Sequence, residues 1–209
     1  MKRNLFLSLF LAFGLVGMSH AQSGPNIDVT AVSRQGGTIV DFLNQHSTPG
    51  DANAACFQWD ASGAAFNCLM LALQQTGLSN ELSLVDELGV TLFAPTDAAF
   101  ELLSHTMSPA EWSALFTDAN ALRPLLSNHL LPVKMTLSDL FDKTSDNFRE
   151  VMVITQNGMQ VPVIFGAGGG VTDVTLGVES SVGTPHVIAE TIELDNGVII
   201  AIDNVLTGN

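Results

Sequence analysis

Apolar residues recur at helical spacing through the chain as far as Pro132, and at alternate positions from Val151 onward. Thr38 can cap a first helix on which Ile39, Val40, Phe42 and Leu43 share a face. A second helix is predicted over residues 64–76 and stops at Gly77, the residue type that best tolerates the position just past a helix end. The run Val90, Thr91, Leu92, Phe93, Ala94 reads as a buried strand. Pro95 keeps Ala94 extended and, lacking a ladder donor, suits the strand end. Thr96 or Asp97 can then cap a helix carrying Ala98, Ala99, Phe100, Leu102 and Leu103. Ser108-Pro109-Ala110-Glu111 combines a capping box with proline at the first helical position, and turns Trp112, Leu115 and Phe116 inward. Another start near Asn120 carries Leu122, Leu125, Leu126 and Leu130. Pro124 fits that helix only within its first turn.

Residues 151–155 and 159–165 flank Asn157-Gly158, a hairpin signal. Strands over 171–178 and 186–194 follow, and Asn196-Gly197 turns into a last strand over 198–206. Helices first and strands afterwards predict an α+β domain built on antiparallel, twisted sheets. No helices separate the C-terminal strands, which disfavours a doubly wound parallel sheet.

The N-terminus changes the picture of where such a domain works. Lys2 and Arg3 precede an apolar run over residues 5–16, and Ser19-His20-Ala21 offers a small-residue cleavage site, so residues 1–21 read as a secretory signal peptide. The apolar run is short for a bilayer span, and a transmembrane anchor is not expected. Residues 22–36 form a polar lead-in, 37–206 the folded domain, and 207–209 a tail. The predicted location is secreted or periplasmic.

The chain carries 21 acidic against 7 basic residues, a formal charge of −14. Loss of Lys2 and Arg3 would leave five basic residues against the same 21 acids, or −16. Such a field repels nucleic acid and anionic lipid, and suits a basic partner or a salty medium. Cys56 and Cys68 are the only cysteines. In an exported chain they are most simply one disulfide, worth about 3 kcal/mol by loop closure. A metal site needs more ligands than this pair. The polar stretch 48–62 around Cys56 reads as a stapled loop, with Phe57 and Trp59 either pinned over the following helix or presented as a contact surface.

Chemistry-bearing spacings are scarce. No nucleophile elbow, zinc-protease helix, phosphate loop or calcium loop is present, and no cofactor or metal is expected. The glycine-rich run from Gly166 to Gly170 leads into a β-rich segment rather than a helix, so it reads as a hairpin loop and not a dinucleotide fingerprint. His46, His105, His129 and His186 are scattered. His129, on a leucine-rich helix end, is expected to be a buried structural histidine, hydrogen-bonded to the strand-to-helix corner through Asp97. Asp139 and Asp142 read as solvated faces.

Two segments resemble the signatures of the fasciclin, or FAS1, domain. The first runs from Thr91 through Phe93, Pro95, Thr96 and Asp97 to Phe100. The second runs from Asn196 and Gly197 through Ile202, Asp203 and Val205 to Leu206. Leu125-Leu126-Ser127-Asn128-His129 resembles the family's central Tyr-His region, with Asn128 where tyrosine is usual and Ile200 where the second signature often has histidine.

The resemblance implies a wedge-shaped β-sandwich with helices packed along it, and the two signatures as neighbouring central strands, Leu92 and Phe93 beside Ile199 and Ile202. It also implies a secreted, non-enzymatic adhesion module that contacts an extracellular protein or polysaccharide matrix or a cell surface, most simply as a monomer. The alternative it implies is a binding protein for a hydrophobic small molecule such as a carotenoid. A hydrolytic enzyme ranks third. Candidate contact residues are Phe57, Trp59 and His129.

Overall fold

The computed structural model describes residues 32–47, 56, 66–85, 89–144, 149–168, 170–178 and 182–208. The predicted signal peptide, most of the lead-in and most of the 48–62 loop, with Phe57 and Trp59, lie outside the described residues.

In chain order the elements are β1 (Val32–Arg34), α1 (Ile39–Gln45), α2 (Asn67–Gln75), α3 (Leu78–Ser83), β2 (Val90–Pro95), α4 (Asp97–Ser104), α5 (Pro109–Leu115), α6 (Ala119–Ser127), β3 (Leu130–Leu131), α7 (Leu137–Phe141), β4 (Glu150–Ile154), β5 (Gln160–Phe165), a 3-10 turn (Val171–Asp173), β6 (Val174–Leu176), β7 (Thr191–Leu194) and β8 (Gly197–Ile202). They form a five-stranded sheet, β1-β7-β8-β2-β3, and a three-stranded sheet, β4-β5-β6. This is the α+β class that the hydrophobic pattern predicts, with helices first and strands last.

β2 and β8 lie side by side, Leu92 opposite Ile199, Phe93 opposite Ile200 and Pro95 opposite Ile202. The pairing is parallel, as is that of β1 with β7, so the larger sheet is mixed and not wholly antiparallel. Parallel neighbours need a long crossover, and a hundred residues of intervening helix and sheet separate β2 from β8. Successive side chains along a strand point to opposite faces. Leu92, Ala94, Ile199 and Ala201 accordingly enter one apolar cluster with the helices. Phe93, Val198, Ile200 and Ile202 enter a second, between the sheets. Thr91, fully buried between strands, donates to Val133 O (2.8 Å) and accepts from Met135 N (2.8 Å).

Four sequence expectations are corrected. Residues 32–34 of the lead-in form an edge strand, so the folded unit begins before Gly37. Leu130 does not continue the apolar stripe of α6 but stands in β3, paired with Leu92. Pro124 sits in the middle of α6 and not in its first turn. The helical partner it deprives is the carbonyl of Asn120, a solvent-exposed residue, which limits the cost.

The fourth concerns Asp97. Thr96 is the N-cap residue of α4 and makes no side-chain cap bond, and Asp97 is the first helical residue. The Asp97 carboxylate reaches instead to the start of α2, accepting from Cys68 N (2.8 Å) and Asn67 Nδ2 (2.7 Å). The N-cap of α2, Phe66, has no side chain able to do this. Asp97 is therefore a buried tertiary cap that pins α2 to the corner, next to the Cys56–Cys68 disulfide. The Asn196-Gly197 turn is a tertiary joint of the same kind. Asn196 accepts from Ile39 N (2.8 Å) and donates to Leu82 O (2.7 Å), and a Cβ on Gly197 would run into Val90 O and Ile39 Cδ1.

Asp97→Ala should destabilise the fold by about 3 kcal/mol in urea denaturation, because it strands buried donors. A loss near 1 kcal/mol, the usual value for a local cap, would contradict this assignment.

Candidate functional site

The largest recess among the described cavities, about 860 Å³, lies where the two apolar clusters meet. Leu103 of α4, Met107, Leu115 of α5 and Leu125 of α6 supply its wall from the helical cluster. Met159 and Val178 supply the opposite wall from the inter-sheet cluster. Asn128, Asn157, Gln160, Thr207 and Gly208 also line it, and no ionisable side chain is among its lining residues.

Each wall is held by identifiable interactions. On the helical side Ser108 caps α5 reciprocally with Glu111, and Asp118 caps α6 through Asn120 N and Ala121 N. Phe100, Trp112 and Phe116 brace α4 against α5, the Trp112–Phe116 rings meeting edge to face at 4.9 Å. On the sheet side the Asn157-Gly158 turn closes with Gly158 N donating to Thr155 O (2.9 Å) and Gly158 at φ +81°. Glycine takes that conformation without strain. The turn docks on the helical side through Gln156 N to Leu130 O (2.7 Å) and Asn157 N to Ser127 O (3.3 Å). Asn157 Nδ2 donates to Asn128 Oδ1 (2.9 Å), joining the walls across the cleft floor.

His129 stands directly behind this floor, fully buried. Its Nδ1 faces Leu125 O (2.8 Å), and its Nε2 accepts from Leu206 N (2.8 Å). The two bonds define one neutral tautomer, Nδ1 protonated. The expected link to Asp97 is absent, since Asp97 is engaged at the start of α2. Instead His129 holds the C-terminal segment, whose Thr207 and Gly208 line the cleft. Burial lowers its pKa to about 4, against a smaller upward pull from the Leu125 carbonyl. With both ring nitrogens engaged by backbone groups, it is a fixed strut.

Elsewhere, Asp139 is not merely a solvated residue but closes a capping box with Thr136 at α7. The Gly166 segment connects β5 to β6, as a hairpin loop would. A second apolar surface, Met152, Ile154 and Ile164, projects from the outer face of the small sheet. Among the described residues no group of three or more His, Cys, Asp or Glu is arranged to hold a metal ion, and no helix is long and apolar enough to cross a membrane.

The fasciclin domain family model matches residues 64–208, most of the chain. The chain belongs to the fasciclin domain family. Among solved structures it resembles a FAS1 domain pair from the insect cell adhesion molecule fasciclin I, at 18% identity and a TM-score of 0.52. That likeness covers 68% of this chain and 46% of the other, so it bears on the fold alone and spans less than half of that protein's chain. No curated protein matches.

Within this FAS1 domain the sequence signatures mark the central strands and their joints, and the cleft lies beside them. Of the predicted contact residues, only His129 is described, and it is hidden behind the cleft. The cleft was missed because Met107, Leu115, Leu125 and Met159 are half-buried and follow the same periodicity as core residues. The available signal was Asn128, a polar residue closing an apolar stripe.

Stability should fall as pH drops from about 6.5 to 4. The folded-state His129 pKa is depressed, so the unfolded chain takes up a proton that the folded chain resists. The loss amounts to about 3 kcal/mol by proton linkage. Urea melts of the protein and of His129→Gln across this range check it: the variant should be weaker at pH 7 but have a shallower slope, while identical slopes would contradict it.

Proposed function

We propose that this FAS1 domain is an exported, non-enzymatic adhesion or matrix-interaction module, and that the seam cleft is its contact site. The observation that carries this reading is the cleft itself: a concave recess that sets leucine, methionine and valine side chains beside convergent carboxamide and hydroxyl groups, a mixture that a binding site can use. Its walls are fixed by caps, an aromatic brace and the Asn128–Asn157 bond, so little ordering cost accompanies occupation. The cell adhesion role named for the insect relative and the Cys56–Cys68 disulfide both accord with an extracellular binding module.

A second reading, storage or transport of a hydrophobic small molecule, is favoured by one feature, the cleft's uncharged lining and its volume of about 860 Å³. A visible absorption band or an extractable lipid on protein purified from its native source would support it, and clean, colourless protein would count against it.

Ala121 is exposed on α6 and borders the cleft, so Ala121→Trp should plug the site while leaving the fold intact. Retention of the purified domain on native extracellular matrix should drop by about tenfold or more, the consequence of losing ~1.4 kcal/mol or more of contact. Unchanged retention with an unchanged melting profile would remove the cleft from the contact surface.

A further inference from the structure

The seam cleft does not end at its helical wall. A shallower recess of about 370 Å³ shares Met107, Leu115 and Ala121 with it and adds Glu111 and Asp118. The combined groove is chemically graded. At one end sits the Asn128–Asn157 carboxamide pair, in the middle an apolar channel, and at the far end two exposed carboxylates. Those carboxylates are held in place because each caps a helix: Glu111 accepts from Ser108 N (2.8 Å), and Asp118 accepts from Asn120 N (2.9 Å). The bonds from Ser108 also hold the Glu111 pKa below its usual value.

Resting on the reading of the cleft as a contact site, we infer that its partner is an extended peptide segment with apolar side chains followed by basic ones. The gradient sets the orientation. Apolar side chains fill the channel between Leu103, Leu125 and Met159, and the basic residues meet Glu111 and Asp118 at the outer end. At the other end the backbone meets a group of its own kind. Asn157 Oδ1 accepts no hydrogen bond from a described residue, and Asn157 also has a second amide hydrogen beyond the one given to Asn128, so the carboxamide can accept from and donate to a peptide unit. The formal charge of −14 favours a basic segment over an acidic one throughout the approach. An anionic or wholly apolar ligand would leave the acidic end uncompensated, and a cationic amphiphile would leave the carboxamide pair without a matching partner.

The test is isothermal titration calorimetry of the purified full domain with an N-acetylated peptide amide of about eight residues, apolar through its first part and ending in a lysine pair. The controls are the same peptide ending in a glutamate pair, dodecyltrimethylammonium below its micelle concentration, and the neutral dye Nile red. The lysine peptide should bind with an affinity that falls as salt rises. Glu111→Gln combined with Asp118→Asn keeps both caps and should weaken it about fivefold, as expected for partly exposed ion pairs. Asn157→Ala should weaken the peptide but not Nile red, and Ala121→Trp should abolish both. Equal binding of the glutamate peptide, or cationic amphiphile binding that matches the peptide and ignores Asn157→Ala, would overturn the peptide assignment and leave the cleft intact as a site. No peptide binding with Nile red still displaced by Ala121→Trp would do the same. If Ala121→Trp changed neither ligand, the cleft reading itself would fall.

Discussion

The parallel pairing of β2 with β8 is the constraint on which the rest of the molecule depends. In register from Val90 opposite Gly197 to Pro95 opposite Ile202, these strands are buried on both faces, so each supplies side chains to two separate apolar clusters. A strand pair covered on one side only would need one layer of partners; this pair requires helices on one side and a second sheet on the other. The close approach also explains the demands on its ends. Gly197 has no room for a Cβ, Asn196 ties the turn to α1 and α3, and Asp97 ties the corner after β2 to α2.

A two-sided core leaves a seam. Where the helical cluster and the inter-sheet cluster approach each other beyond the end of α6, neither closes the gap, and the cleft occupies it. Polar joints take over from packing there: the Asn128–Asn157 bond, the docked Asn157-Gly158 turn, and the His129 strut to Leu206. These polar groups thus hold a recess open, and the surface they define is made of atoms from distant parts of the chain.

That distinction governs what could be read in advance. Helices α1, α2, α4, α5 and α6, the caps at Thr38 and Ser108, and the adjacency of the two signature strands follow from local chemistry and from the family resemblance, whereas β1, α3, β3 and α7, with its capping box at Thr136, are short elements that the hydrophobic periodicity does not mark. Parallel pairing, the reach of Asp97 to Cys68 and the attachment of His129 to Leu206 depend on long-range placement, which spacing does not encode. Leu125 and Leu126 illustrate the same limit at the site: both belong to one apolar stripe, yet Leu126 is buried and Leu125 borders the cleft.

Two apolar surfaces compete as the place of contact, the seam cleft and the outer face of the small sheet at Met152, Ile154 and Ile164. The cleft combines concavity with fixed polar groups, and the recess that adjoins it adds the carboxylates of Glu111 and Asp118. The direct measurement is amide and methyl chemical-shift mapping of the labelled domain during titration with a solubilised native matrix fraction. Shifts concentrated at Leu103, Met107, Leu125, Asn157 and Thr207, with Met152, Ile154 and Ile164 unmoved, are the predicted result. Shifts confined to the outer face of β4 and β5 would contradict the account.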